Sequence, residues 1–234
     1  MKLLRRLVDG SSLVLGKVRR NRLIVPVEGQ SPVKVNIGCG LAVVPGWINI
    51  DGSLNALVAT LPSSFHRLAY RFTGAHRYYS REEYCRILQD HCFVHHDLVY
   101  GIPLADNMVD YIYSSHFLEH LSRQDGVSLA EEMFRVIKPG GIVRISVPDL
   151  AYAVSLYEQG YKEKMLISYF FVEDDDSYFA RHKYMYDFNM LSEMLIGAGF
   201  VNVRRCKVRE GRTPDLDALD NRPEDSLFVE AERS

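Results

Sequence analysis

The run Val33-Lys34-Val35-Asn36-Ile37-Gly38-Cys39-Gly40 decides the fold. A short apolar run closed by glycines reads as a buried strand ending in a tight turn. Working outward, Trp47–Ile50 reads as a second strand ending at Asp51, and Cys92–His95 as a third ending at Asp97. Between them, residues 53–90 show helical spacing at Leu54, Leu57, Val58 and Leu61, and again at Tyr84, Ile87 and Leu88. Val109–Tyr113 is a fourth strand that runs into Ser114-Ser115-His116. Leu118–Ile137 reads as one helix, stopped by Lys138-Pro139-Gly140-Gly141. Ile142–Val147 is a fifth strand, ended by Pro148. An insertion at 150–188 holds seven of the 14 tyrosines and four of the 11 phenylalanines. Asn189–Ala198 is a helix closed by Gly199; Val201–Val208 is a strand, 209–225 a polar loop and Ser226–Ala231 a last strand. Strands alternating with helices predict an α/β fold with a mainly parallel sheet. The last two strands have no helix between them, so we expect them to pair antiparallel.

Composition narrows the function. The 28 basic and 30 acidic side chains leave a net charge of −2, which gives no electrostatic case for nucleic-acid binding. An apolar fraction of 47% and a charged fraction of 25% are those of a globular protein, not of a disordered chain or coiled coil. The most apolar stretch, Met165–Val172, is too short to span a bilayer, and Met1–Leu15 shows no signal peptide. Cys39, Cys85, Cys92 and Cys206 have no CxxC spacing, so we expect reduced thiols in a cytoplasmic protein. Two regions are expected: a basic segment over 1–30 and a domain over 31–234, with helical insertions at about 53–90 and 150–188. Before residue 28, Lys2, Arg5, Arg6, Lys17, Arg19, Arg20 and Arg22 face the single acid Asp9. Interleaved leucines and valines suit peripheral contact of residues 1–22 with an anionic membrane, on the inner face of the cell membrane. A solvated helix or frayed terminus explains the same pattern.

In an open α/β sheet, ligands bind beyond the carboxyl ends of the strands. That rule selects Gly38–Gly40, Asp51, Asp97-Leu98, Ser114–His116 and Pro148-Asp149. Glycines permit close approach of a ligand to the backbone. A carboxylate after the second strand offers two oxygens to neighbouring ribose hydroxyls. An aspartate after the third can accept from an exocyclic amine. Together they describe a nucleoside pocket.

These residues also carry a family resemblance. Val35–Gly40 resembles motif I of the class I S-adenosylmethionine-dependent methyltransferases. His96-Asp97-Leu98 with Ile102-Pro103-Leu104 and Asp106–Tyr113, Ser115–Leu121, Arg135–Gly141 and Met190–Phe200 resemble later motifs of that family. The resemblance implies a Rossmann-like seven-stranded sheet, last strand antiparallel, with helices on both faces. It implies S-adenosylmethionine as cofactor. Gly38, Cys39 and Gly40 would lie along its methionine and ribose, Asp51 at the ribose hydroxyls, Asp97 and Leu98 at the adenine, and Ser115 and His116 at the rim. The chain departs from the pattern in one place: only ten residues separate Gly40 from Asp51, including Pro45 and Gly46, so the usual helix there is short or absent. A nicotinamide enzyme needs that helix for pyrophosphate, which disfavours NAD. A compact subgroup often linked with glycan and polysaccharide synthesis reads similarly, with a tail like Asp217, Arg222, Glu224, Asp225 and Ser226–Ala231.

The expected activity is O-methylation of a sugar, glycan or other small polar acceptor. The alternatives are a non-catalytic cofactor-binding module acting through partners, and a methyltransferase for a natural product or protein. A hydroxyl acceptor needs a base. His116 leads, with Asp149 and His182 as alternatives; Asp149 equally suits a helix N-cap. His116, Glu119 and His120 share one helical face at spacings that can bind a divalent metal. The resembling family carries this run in members without metal, so none is expected. The aromatic insertion reads as an acceptor lid or as its own small core.

Overall fold

The computed structural model of the protein describes residues 17–18, 23–24, 31–170 and 181–234. Most of the basic segment 1–22 and the acidic run Glu173–Asp176 lie outside them. Seven strands form one sheet: β1 (Lys34–Ile37), β2 (Ile48–Asp51), β3 (Cys92–His95), β4 (Val109–Ser115), β5 (Ile137–Pro148), β6 (Val201–Cys206) and β7 (Ser226–Glu232). Their order is β3-β2-β1-β4-β5-β7-β6. The first five pair in parallel, whereas β7 runs antiparallel to both β5 and β6. The expected antiparallel pairing of the last two strands is therefore present. β7 also slots between β5 and β6, which their order in the chain does not announce.

The central strands are buried on both faces, as parallel strands covered by helices require. Val35, Ile37, Ile50, Ile112, Val143 and Ile145 join Leu129 and Met133 of α4 (Arg123–Val136) in the main core. Leu191 and Leu195 of α7 (Phe188–Gly197) close it. Each such side chain contributes about 1.5–3 kcal/mol on burial.

No helix follows β1; the chain turns through Ala42 N–H to Cys39 O and re-enters the sheet at Ile48. The helical stretch after β2 resolves into α1 (Leu54–Ala59), α2 (Ser63–Ala69) and α3 (Arg81–Asp90). A capping box starts α3, with Ser80 Oγ accepting from Glu83 N–H and Glu83 returning to Ser80 N–H. α5 (Leu150–Glu158) and α6 (Lys162–Met165) open the aromatic insertion, and α8 (Leu216–Leu219) lies in the expected polar loop.

The single helix expected over Leu118–Ile137 is two elements. Leu118–His120 is one 3-10 turn, the chain becomes extended at Leu121, and α4 starts only at Arg123. Ser122 breaks the run because its hydroxyl oxygen accepts from Asp125 N–H at 3.2 Å, which caps α4. His116, Glu119 and His120 consequently do not share a helical face. β5 begins earlier than expected, at Ile137, and a register shift against β4 absorbs the Pro139-Gly140-Gly141 turn.

Candidate cofactor site and the Glu119 cluster

The strand ends carry the predicted residues. β1 sits between β2 and β4, so the connections diverge beyond it. Gly40 N–H donates to Asp51 Oδ2 at 2.8 Å, and Ser53 N–H donates to Oδ1 at 2.6 Å. A carboxylate has about four lone-pair sites, so Asp51 keeps acceptor capacity beyond these two bonds. His96 N–H donates to Asp51 O at 3.1 Å, which locks the ends of β2 and β3 together. Asp97 Oδ1 accepts from Val99 N–H at 3.2 Å and caps the turn Leu98–Tyr100. The side chain of Leu98 is buried in the main core and anchors this turn.

Gly38 and Gly40 both have left-handed backbone, with φ of +64° and +53°. Their surroundings differ. A Cβ at Gly38 would lie 2.0 Å from Phe117 Cγ, whereas one at Gly40 meets nothing within 4 Å among the described residues. The two glycines therefore have different surroundings. At Gly38 the space is taken by Phe117; at Gly40 it is open. Cys39 between them is buried, and burial followed by the nearby Asp51 charge pushes its thiol well above the ordinary value. It stays a neutral thiol.

Ser115 ends β4, half-buried, and His116 follows with φ of +50°, uncommon for a residue with a side chain. Its N–H donates to Ser146 O at 2.9 Å. Nε2 lies 2.9 Å from Ser226 Oγ and Nδ1 lies 3.4 Å from Glu119 Oε1. Glu119 is 1% exposed. Burial alone would raise its carboxyl, but His116 and His120 outweigh it and hold the group below the usual Glu value. Burial in turn lowers His120. His182 reaches the same cluster from the insertion: its ring centroid is 5.1 Å from that of His120. Lys183 N–H donates to Glu119 O at 2.7 Å and holds the returning chain there.

Asp149 is placed differently. Oδ1 accepts from Ala151 N–H at 3.0 Å and caps α5, while Oδ2 pairs with Arg205 at 2.5 Å. The helix-cap reading therefore describes this residue, with Arg205 as its second partner. The insertion's aromatics divide. Tyr169 packs with Leu156 and Met185 in a small core, and Tyr186 joins the main core. Tyr152, Tyr157, Tyr161 and Phe170 are exposed. A cavity of about 270 Å³ lies between α2 and α3, lined by Ser63, Arg67, Arg81 and Cys85, and contains none of the predicted residues.

Phe117 and Ser226 were not singled out from sequence. Each appears there only inside a motif. The one available signal for Phe117 is a glycine required at 38 by something bulky nearby.

Residues 35–145 match the family model described as a methyltransferase domain. No curated protein sequence matches significantly. Among solved structures, a SAM-dependent methyltransferase from Archaeoglobus fulgidus shares 15% identity at a TM-score of 0.51, covering 98% of this chain and 94% of its own. A SAM-dependent methyltransferase from Thermotoga maritima shares 14% identity at a TM-score of 0.48, covering 99% and 92%. Human N-acetylserotonin methyltransferase, solved in complex with SAM, shares 15% identity at a TM-score of 0.49, covering 97% and 52%. At these identities the structures speak to fold alone. The match over 35–145 and the seven-stranded sheet identify a methyltransferase domain of Rossmann-like fold, similar to the S-adenosylmethionine-dependent enzymes.

Proposed function

We propose that the protein transfers a methyl group from S-adenosylmethionine to a hydroxyl of a sugar, glycan or other small polar acceptor. The observation that carries this reading is His116: a hydroxyl, that of Ser226, already lies 2.9 Å from its Nε2, with Glu119 on the opposite nitrogen. The strand-end residues fit the cofactor. Gly40 leaves an open cradle, and Asp51 retains lone pairs after its two backbone bonds. Gly38, Cys39 and Gly40 would lie along the methionine and ribose, Asp51 at the ribose hydroxyls, Asp97 and Leu98 at the adenine, and Ser115 at the rim. Bound there, the cofactor supplies an electrophilic methyl on a sulfonium.

The protein's own task is alignment and proton removal. An acceptor hydroxyl placed where Ser226 Oγ sits gives its proton to His116 Nε2. The buried Glu119 charge beside Nδ1 stabilises the resulting imidazolium. Exposed Tyr152, Tyr157 and Tyr161 offer flat faces to the apolar side of a sugar ring. We place the enzyme in the cytoplasm, with residues 1–22 resting on an anionic membrane. No helix among the described residues is long and apolar enough to cross one.

The test is methyl transfer from isotopically labelled S-adenosylmethionine to a panel of sugars and glycolipids. His116→Ala should lose most turnover, on the order of 10²–10⁴-fold for a general base, while cofactor affinity stays near wild type. An unchanged rate would end its candidacy. Transfer confined to amines would move the acceptor to another class.

A further inference from the structure

Glu119 sits in an arrangement that its place beside His116 does not account for in full. Its side chain is 1% exposed, and its carboxylate meets no closer donor among the described residues than His116 Nδ1, 3.4 Å from Oε1. A buried carboxylate in that condition needs a positive partner. Besides His116, two more imidazoles face it. His120 directs Nε2 toward Glu119 Oε1 at 3.9 Å, while its Nδ1 lies 3.2 Å from Arg181 O. His182 has its Nδ1 on Tyr169 O at 2.7 Å, which leaves Nε2 as its other ring nitrogen. One ligand atom from each of Glu119, His120 and His182 falls within 4.8 Å of the others.

The tautomers follow from these contacts. A carbonyl oxygen only accepts, so each Nδ1 must carry the proton. In the neutral ring each Nε2 then presents a lone pair. Two lone pairs and a carboxylate converging on one point repel one another unless a cation or a proton lies between them. Histidine ligands of metals show the same outer contact, with the distal N–H held by a backbone carbonyl or carboxylate.

We propose that Glu119, His120 and His182 form a binding site for a divalent transition-metal ion of the zinc class. Two imidazoles and one carboxylate suit such ions, and three protein ligands leave a position for water or an acceptor oxygen. Metal bonds of about 2.0–2.1 Å put tetrahedral ligand atoms about 3.4 Å apart, a contraction that rotation of the half-buried His120 and His182 can supply. The ligands come from two places in the chain. Glu119 and His120 belong to the turn after β4, and His182 to the return of the insertion. The ion would clip the insertion to the turn beside His116, whose Nδ1 lies 3.4 Å from Glu119 Oε1. The helical triad suggested by sequence spacing thus gives way to a different trio, and the site stands apart from which acceptor is methylated.

The experiment uses the full, untagged chain stripped with EDTA. It is titrated with Zn²⁺ by calorimetry and with Co²⁺ by visible absorption. The wild type should take up one equivalent of Zn²⁺ and develop Co²⁺ ligand-field bands. His120→Ala and His182→Ala should each weaken uptake by about 100-fold or more and lose the bands, whereas His91→Ala keeps both. Glu119→Gln should also lose uptake while nearly preserving volume. If that buried change prevents folding, as judged by circular dichroism, the half-buried His182→Ala decides. No stoichiometric uptake by the wild type, or undiminished uptake in folded His120→Ala and His182→Ala, overturns the site.

Discussion

The Gly40 N–H donates to Asp51 Oδ2 at 2.8 Å, so the turn after β1 is tied to the end of β2 by the same carboxylate that faces the cofactor's ribose in the proposed function. One side chain shapes the loop and reads the ligand. Replacement with alanine removes both actions. Asp51→Ala should weaken S-adenosylmethionine binding by roughly 10–100-fold, the range of a charge-assisted hydrogen bond of about 1.5–3 kcal/mol. Calorimetry measures the affinity and urea unfolding the stability. Unchanged affinity would remove Asp51 from the ribose.

The two motif glycines should respond differently to the same methyl group. Gly38→Ala meets left-handed backbone and the Phe117 ring, 2.0 Å from the new Cβ. Backbone strain of about 1–2 kcal/mol and overpacking of about 1–3 kcal/mol give a total of about 2–5 kcal/mol. Gly40→Ala meets the backbone term alone, about 1–2 kcal/mol. Urea denaturation checks both. In the double variant Gly38→Ala/Phe117→Ala the steric part should vanish, which appears as strong non-additivity. Equal losses at 38 and 40 would contradict the placement of Phe117.

Arg144 of β5 and Asp220 are both fully buried and pair at 2.5 Å. Arg144 also donates to the carbonyls of Lys207 and Glu210, and Tyr113 Oη donates to Leu219 O at 2.8 Å. This network pins the loop that carries α8 onto the sheet. Asp220→Ala strands the guanidinium and should cost about 3–5 kcal/mol. Chemical unfolding measures the loss; less than about 1 kcal/mol would show that the loop does not depend on the pair.

Acid should destabilise the fold in a way traceable to Glu230 and Glu132. Burial pushes the Glu230 carboxyl up, but Arg204 and the N–H groups of Arg212 and Thr213 outweigh it and hold it below the usual value. Arg135 lowers Glu132, helped by the Ile102 N–H. A folded-state value below the unfolded one means stability that is fully present above the unfolded value, about 4.3 for Glu. It is lost as pH falls through the lower folded value. The melting temperature should hold above about pH 5 and drop below it, and Glu230→Gln should flatten the drop. A melting temperature indifferent to acid would refute the assignment.

Much of the fold was legible because its signals are local. Short apolar runs ending in Gly38, Asp51, Asp97 and Ser115 mark strands and their carboxyl ends, and the parallel-sheet rule converts those ends into a site. Lost legibility has physical causes too. Ser122 outcompetes helix continuation from Leu118 through a hydrogen bond that spacing does not reveal. The slot of β7 between β5 and β6 depends on long-range pairing such as Val143 with Ala231.

By itself the sequence determined the α/β class, the glycine turn, the acids at successive strand ends, the absent helix after β1 and the resemblance to methyltransferases. Each follows from neighbours within a few residues or from motif order. Only the tertiary structure decided that Phe117 fills the space at Gly38, that Asp149 is a cap, and that Ser226 meets His116 from 110 positions away. It also decided that His182 joins Glu119 and His120. Such meetings depend on how separate elements pack, and a linear spacing carries no information about the distance between side chains on different elements.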